Sequence, residues 1–471
     1  MVFGWSRAWV AGAASALLCW AFHGQALAAE NGGRFLGSSS CASSTCHGAT
    51  SNWTYSDVQQ NEFVLWSTHD PHSKAYRALE SEKGKRIAAN LGIADAAADA
   101  GCLACHAGNA PADRRGPKYD VRDGVGCESC HGAAENWLRG HVATLGNHEA
   151  NLKAGLRKLE DPGVRARTCL ACHAGSAERP MTHAMHGAGH PRLQFEAETF
   201  FTIEPAHVRI DFDYVARKGH VDKTRAWAVG QVAAAQAMLA VAADPARNHD
   251  GFFPALAIAD CFACHRSVAE GRAGGVPRPD GLQAAGAQTA SQDDVATDER
   301  GVAIGRTGAA VRPNVAAFAM SAIVADVFDR DLSGLIAAAG ASLAAASNAG
   351  PEAMAAAARE AAPLIARLDE KLAGHRFSEA ETKALLARLS TADPALSDRF
   401  VVAEQTTMAS ANLVAVLRGD AAPGTGRTAD IDRALAGLYE AVRSSDTFSP
   451  QRFRAAQAKM AKALASIQGP A

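Results

Sequence analysis

Ten cysteines of this chain fall into five close pairs, and a histidine directly follows each pair. The pairs are Cys41/Cys46, Cys102/Cys105, Cys127/Cys130, Cys169/Cys172 and Cys261/Cys264; the histidines are His47, His106, His131, His173 and His265. Four sites read C-x-x-C-H, and the first, CASSTCH, has four intervening residues. With 17 histidines among 471 residues, five chance hits in five pairs is on the order of one in ten million. The arrangement therefore serves chemistry. No cysteine follows Cys264, so the chain splits into a Cys/His-rich N-terminal half and an Ala-rich C-terminal half.

The spacing suits covalent haem attachment. Two thiols on one turn each form a thioether to a haem vinyl group, and the adjacent imidazole ligates the iron. Structural zinc would use two such pairs per ion and gives no reason for a histidine after every second cysteine. C-x-x-C disulfides are redox-active rather than structural, and a thioredoxin-like motif would occur once, beside a βαβ pattern. The expectation is five haem c groups with iron, anchored by the ten cysteines. The trailing His-Gly of CASSTCHG matches that of CESCHG and brings the irregular site into the set.

The stretches CASSTCHG, LWSTHDPHSKAY, GVGCESCHGAAENWLRGH, MTHAMHGAGHPRLQFE and DCFACHR, over roughly residues 35–266, resemble the multihaem cytochrome c-554/c-prime family (a cytochrome c-552/4-like domain). That family belongs to the wider group containing hydroxylamine oxidoreductase and pentahaem nitrite reductase. The resemblance implies closely stacked haems that pass electrons along the stack, with distal histidines supplied by sequence-remote segments. It stops near residue 266.

Excluding His23 and the five motif histidines leaves eleven, of which five haems take at most five. The resemblance points to His72 in PHSKAY and to His183 and His190 in THAMHGAGHPRL. His141 follows CESCHG in WLRGH, and His69, three residues before His72, is placed to serve another haem. His186 looks like the extra member of its cluster. His148, His207, His220, His249 and His375 read as ordinary solvated or hydrogen-bonded histidines. Arg192 suits either a haem propionate or the surface. Trp66, Tyr76, Trp137 and Trp227 read as haem-packing or core residues.

Residues 1–28 have the pattern of a secretory signal: Arg7, an uncharged stretch from Ala8 through Phe22, and Ala26-Leu27-Ala28 as a cleavage site. The expectation is a periplasmic protein cleaved near Ala28, with no transmembrane span in the mature chain. Lys plus Arg number 47 against 49 Asp plus Glu, so no bulk positive field recruits nucleic acid. The expected partners are redox proteins: other cytochromes, or a quinol-linked membrane complex.

The expected fold is mainly α: a cytochrome domain of short helices and loops around stacked haems over 29–266, a linker or long loop over 267–312, and an α-helical bundle domain over 313–471. Asp222–Ala242 reads as a helix with Trp227, Ala234, Met238 and Val241 on one face. Ser378 with Glu381 forms a capping box ahead of Leu385 and Leu389. Ile431, Leu435, Leu438 and Val442 make another stripe, and Ser449-Pro450 opens a last helix carrying Phe453, Met460, Leu464 and Ile467. Nothing in these helices carries chemistry, so the C-terminal half is expected to be dispensable for haem incorporation. No phosphate loop, nucleophile elbow or H-E-x-x-H motif occurs. The leading reading is an exported electron-transfer protein rather than an enzyme. The alternative is a multihaem oxidoreductase with one open iron acting on a small nitrogen or sulfur compound. Pentahaem nitrite reductases place lysine after their catalytic C-x-x-C, and none occurs here. Hydroxylamine-type enzymes carry more motifs than this chain has. A scaffolding role rests only on the C-terminal helices.

Overall fold

A computed structural model describes residues 32–51, 53, 58–143, 147–176, 178–260, 295–297, 303–305, 315–419 and 429–466. The signal-like segment, Cys261, Cys264, His265 and Ile467 lie outside them. The described chain is mainly helical. Its strands form a short antiparallel ribbon, Val295–Thr297 with Ala303–Gly305, inside the stretch read from sequence as a loop, and Phe35 and Arg115 make an isolated parallel bridge.

Residues 32–222 form short helices joined by turns, as their Gly- and Pro-punctuated sequence requires. Most helix starts carry a side-chain cap: Asp99 accepts from the Cys102 amide, Asp161 from the Gly163 and Val164 amides, and Thr182 from the Met185 amide. Apolar packing here is thin. One small cluster gathers Leu79, Ala88, Ala96, Leu103 and Ala107, and another gathers Ala166, Leu170 and Ala233.

The large core lies elsewhere. The Lys223–Ala242 helix, capped by Asp222 through the Arg225 amide, packs on Pro162–His173, Ala316–Ala325, Pro351–Leu372 and Phe400–Arg418. Its apolar residues leave no polar face, so it is buried nearly all round rather than on one stripe. Trp227, Val232 and Leu239 share one hydrophobic cluster with Phe318, Ile336, Ile365, Leu413 and Phe453. Hydrogen bonds tighten the junction: Asp222 accepts from the Phe377 amide at 2.7 Å, Arg225 Nε donates to the Leu372 carbonyl at 2.8 Å, and Thr224 meets Thr382 at 3.0 Å. The core therefore runs across the 267–312 stretch that the sequence offers as a boundary.

The later helices follow their sequence signals. Ser378 and Glu381 form the reciprocal capping box, with Leu385 and Leu389 buried behind it. Ile431 and Leu438 are buried from Ala429–Ala441, with Val442 just beyond its end; Phe453, Met460 and Leu464 are buried from Pro450–Ser466. Among the described residues, Phe400–Arg418 is one helix long and apolar enough to cross a membrane. Its Phe400, Val402, Leu413 and Leu417 are instead buried in the bundle.

Candidate haem centres

Local structure brings each described thiol pair onto one face. Cys102–His106 lies within the Ala100–His106 helix, Cys127–His131 is a helix of its own, and Cys169–His173 ends the Pro162–His173 helix. On a helix, residues three and four apart are neighbours, so both thiols and the imidazole share a side. The CASSTCH site reaches a similar closure through turns. The Cys46 amide bonds the Ser43 carbonyl at 2.8 Å, and the His47 amide bonds the Cys41 carbonyl at 3.1 Å. A Cβ on Gly48 would meet the Ala42 carbonyl oxygen at 1.9 Å, so the tighter loop needs the trailing glycine. Gly132 follows His131 with φ +84°, a backbone that glycine accepts without strain.

Three motif histidines face a histidine from elsewhere in the chain. The ring centroids of His47 and His141 are 6.1 Å apart with planes 14° from parallel. Those of His173 and His72 are 6.0 Å apart at 86°, and those of His106 and His190 are 6.2 Å apart at 85°. Two imidazoles sharing one metal through bonds of about 2 Å place their centroids about 6 Å apart. The three spacings fit that geometry.

The second ring nitrogens are held in place. His47 Nδ1 meets Glu62 Oε2 at 2.8 Å, and His72 Nδ1 meets Asp70 Oδ1 at 2.9 Å. His106 Nδ1 bonds the Ala75 carbonyl at 2.9 Å, and His190 Nδ1 the Pro191 carbonyl at 2.8 Å. An Nδ1–H held this way fixes the tautomer and leaves Nε2 for a metal. Glu204 stands 3.9 Å behind His72, and with Asp70 it gathers around that one nitrogen. Burial pushes the His131 pKa down to about 3 and that of His173 to about 4, keeping both rings neutral as ligation requires.

The four described sites adjoin one another. Cys41 and Cys127 lie close enough to act on one another's protonation, as do Cys105 and Cys172, and Cys169 acts electrostatically on Cys130. The motifs thus run first–third–fourth–second in space. Glu128, inside the third motif, is buried and accepts amides of Leu36, Gly37 and Ala134 at 2.7–2.8 Å, tying the N-terminal segment to this row.

Residues 40–132 match the family of cytochrome c554 and c-prime. That family carries haem c and its iron in electron transfer, and the matched segment contains the first three motifs. Neither the curated proteins nor the solved structures yield a match.

Within this cytochrome framework, the other expected histidines stand apart. His69 is exposed, and His183 is exposed and stacks on Phe252 at 5.0 Å. His186 Nδ1–H donates to the His190 carbonyl at 3.0 Å, and its ring lies edge-on to that of His190. Among the described residues, no histidine ring stands about 6 Å from His131. Arg192 is partly exposed and paired with Glu404 at 2.9 Å. Trp227 is a bundle-core residue, whereas Trp137 packs edge-on to His141 at 5.7 Å and Trp66 donates to the Val125 carbonyl at 3.0 Å. Reading the sequence missed Glu62, Glu128 and Glu204. Only Asp70, two residues before His72 in D-P-H, left a local signal, since an aspartate there caps its own turn.

Proposed function

We propose that the chain is an exported pentahaem cytochrome that relays electrons, without itself transforming a substrate. The ten cysteines would anchor the groups, with His47, His106, His131, His173 and His265 as proximal ligands. His141, His190 and His72 would be the distal ligands for His47, His106 and His173. His69 and His183 remain candidates for the other two irons. Bound haem c supplies a one-electron ferric/ferrous couple.

The observation that carries the reading is the set of three sequence-remote histidine pairs at 6.0–6.2 Å. With a histidine from each side to hold it, an iron at these sites would exchange electrons without binding a substrate. The chain's own contribution is orientation: Glu62, Asp70 and the Ala75 carbonyl each hold a ligand ring by Nδ1, which limits reorganisation between oxidation states. Neighbouring motif cysteines would keep successive centres close.

Denaturing mass spectrometry of periplasmic material should give the chain from about residue 29 plus five haem masses. Four would remove one site, and none after expression with a competent maturation system would end the haem reading. Carbon monoxide binding to the reduced protein as isolated would favour the oxidoreductase alternative.

A further inference from the structure

The acceptors behind the paired histidines differ in charge. His47 Nδ1 meets the Glu62 carboxylate at 2.8 Å, and His72 Nδ1 meets that of Asp70 at 2.9 Å, with Glu204 3.9 Å away. At the second motif both acceptors are neutral: the Ala75 carbonyl holds His106 at 2.9 Å, and the Pro191 carbonyl holds His190 at 2.8 Å.

Local structure fixes this contrast. Glu62 opens the Glu62–His69 helix, whose Phe63 amide bonds the His47 carbonyl at 2.9 Å, so the acid is fastened to the motif it serves. Asp70 is buried and also caps the turn that carries His72. Behind His190, Asn90 donates to the Ala188 carbonyl at 3.0 Å and draws in the Glu82–Asn90 helix, whose Lys83 acts electrostatically on His190. Two further charges oppose the contrast without cancelling it. Arg179 donates to Cys172 Sγ at 3.2 Å, setting a cation against the acids of the fourth motif. Asp99 stands at the second motif, but it is engaged in capping the helix through the Cys102 amide at 2.9 Å.

A carboxylate accepting from Nδ1–H makes the imidazole a stronger donor to a metal. Ferric iron gains more from that donation than ferrous iron, so the potential falls. A carbonyl without net charge has the smaller effect. Resting on the multihaem reading, we infer that Glu62 sets the first centre (His47/His141) below the second (His106/His190) in potential, with the fourth (His173/His72) between them. Glu62 is thus a positioning residue that acts through His47. An electron given to the first centre by a one-electron donor protein would pass to the second, leaving the first ferric and the second ferrous, with no bond made or broken. A one-electron acceptor would then be served from the second motif, which ends the described row.

The test is reduction of the full holoprotein at a series of fixed potentials, read by electron paramagnetic resonance. His141→Ala and His190→Ala each remove one low-spin ferric signal and so assign the first and second centres. In the wild type the second centre should be reduced at higher potential than the first. Glu62→Gln should raise the reduced-to-oxidised ratio of the first centre about tenfold at a given potential, a shift of about 59 mV for one electron, and leave the second unmoved. Glu62→Asp, which keeps the charge, should stay near the wild type; a merely structural Glu62 would give no such selective shift. Reduction of the first centre before the second in the wild type would overturn this order, as would a Glu62→Gln protein with every haem and an unmoved first centre. If Glu62→Gln loses a haem, the wild-type order decides. Absence of haem masses or of these low-spin signals from the wild type would instead overturn the multihaem reading.

Discussion

Arg192 and Glu404, 212 positions apart, meet in a forked ion pair with contacts of 2.9 and 3.0 Å. Glu404 is buried, and Arg192 is about one quarter exposed. The arginine follows His190 in GHPRL, so the pair fastens the segment carrying this proposed ligand to the Phe400–Arg418 helix. Gln405 adds a bond to the Phe195 carbonyl at 3.0 Å, and Asn412 one to Glu196 at 2.7 Å. The helical half is therefore built into the support of the haem-bearing half.

Removing one partner leaves the other charge without compensation. Arg192→Ala should destabilise the holoprotein by about 2–3 kcal/mol, below the full buried-pair penalty because Arg192 reaches solvent. Burial already holds the Glu404 carboxyl above its ordinary range, so Glu404→Gln should cost less than Arg192→Ala. Denaturant titrations followed by tryptophan fluorescence would check the order. An effect of Arg192→Ala below 0.5 kcal/mol, on the scale of ordinary surface changes, would show the contact to be incidental.

Glu198 gives the fold a pH dependence. It is buried beside Cys169, with Arg165 at 3.3 Å and Glu196 and Lys223 nearby. Burial outweighs the attraction of Arg165 and pushes its pKa from 4.5 up to about 7. Between those values the folded protein holds a proton that the unfolded chain has released. Stability from this group is therefore full below about pH 4.5 and falls as pH rises to 7, by about 3 kcal/mol in all. Glu198→Gln should flatten that slope relative to wild type in unfolding titrations from pH 5 to 8. Parallel slopes would show that the carboxyl ionises normally.

The ring planes predict spectra. The His47/His141 planes are nearly parallel, whereas His173/His72 and His106/His190 are nearly perpendicular. Parallel imidazoles on a low-spin ferric iron give a rhombic resonance, and perpendicular ones a strongly anisotropic signal. His141→Ala should remove a rhombic component, create one high-spin iron and leave the haem count unchanged. Loss of an anisotropic component instead would reassign the pair.

The motif sites and the capping box were legible because each is local. Cys-x-x-Cys-His fits one helical turn, and Ser378 reaches Glu381 across another. His72, His141 and His190 were legible only through resemblance, since the contacts that select them join residues 84 to 101 positions apart. Glu62 and Glu128 could not be picked out, because a buried acceptor looks the same in sequence as a solvated acid. The Lys223–Ala242 helix misled in another way. A composition shift at 267 suggests a boundary, yet hydrophobic burial ignores chain order and joins this helix to partners beyond residue 315.

That joining predicts the outcome of truncation near Gly305. The sequence alone favours a soluble fragment that keeps its haems. In the folded protein, Trp227, Val232, Leu239 and Ala242 pack into the cluster built by Phe318, Met320, Ile365 and Leu413. Each large side chain returned to water forfeits roughly 1.5–3 kcal/mol, and a folded domain has only about 5–15 kcal/mol in total. Arg192, Phe195 and Glu196 would also lose their polar contacts to Glu404, Gln405 and Asn412. The fragment ending near Gly305 should therefore aggregate or elute as a heterogeneous species on size exclusion. A second fragment ending before Asp222 should be the better-behaved one, since it omits the apolar helix. A monodisperse Gly305 fragment carrying every haem would show that Lys223–Ala242 finds cover on the haem-bearing half alone.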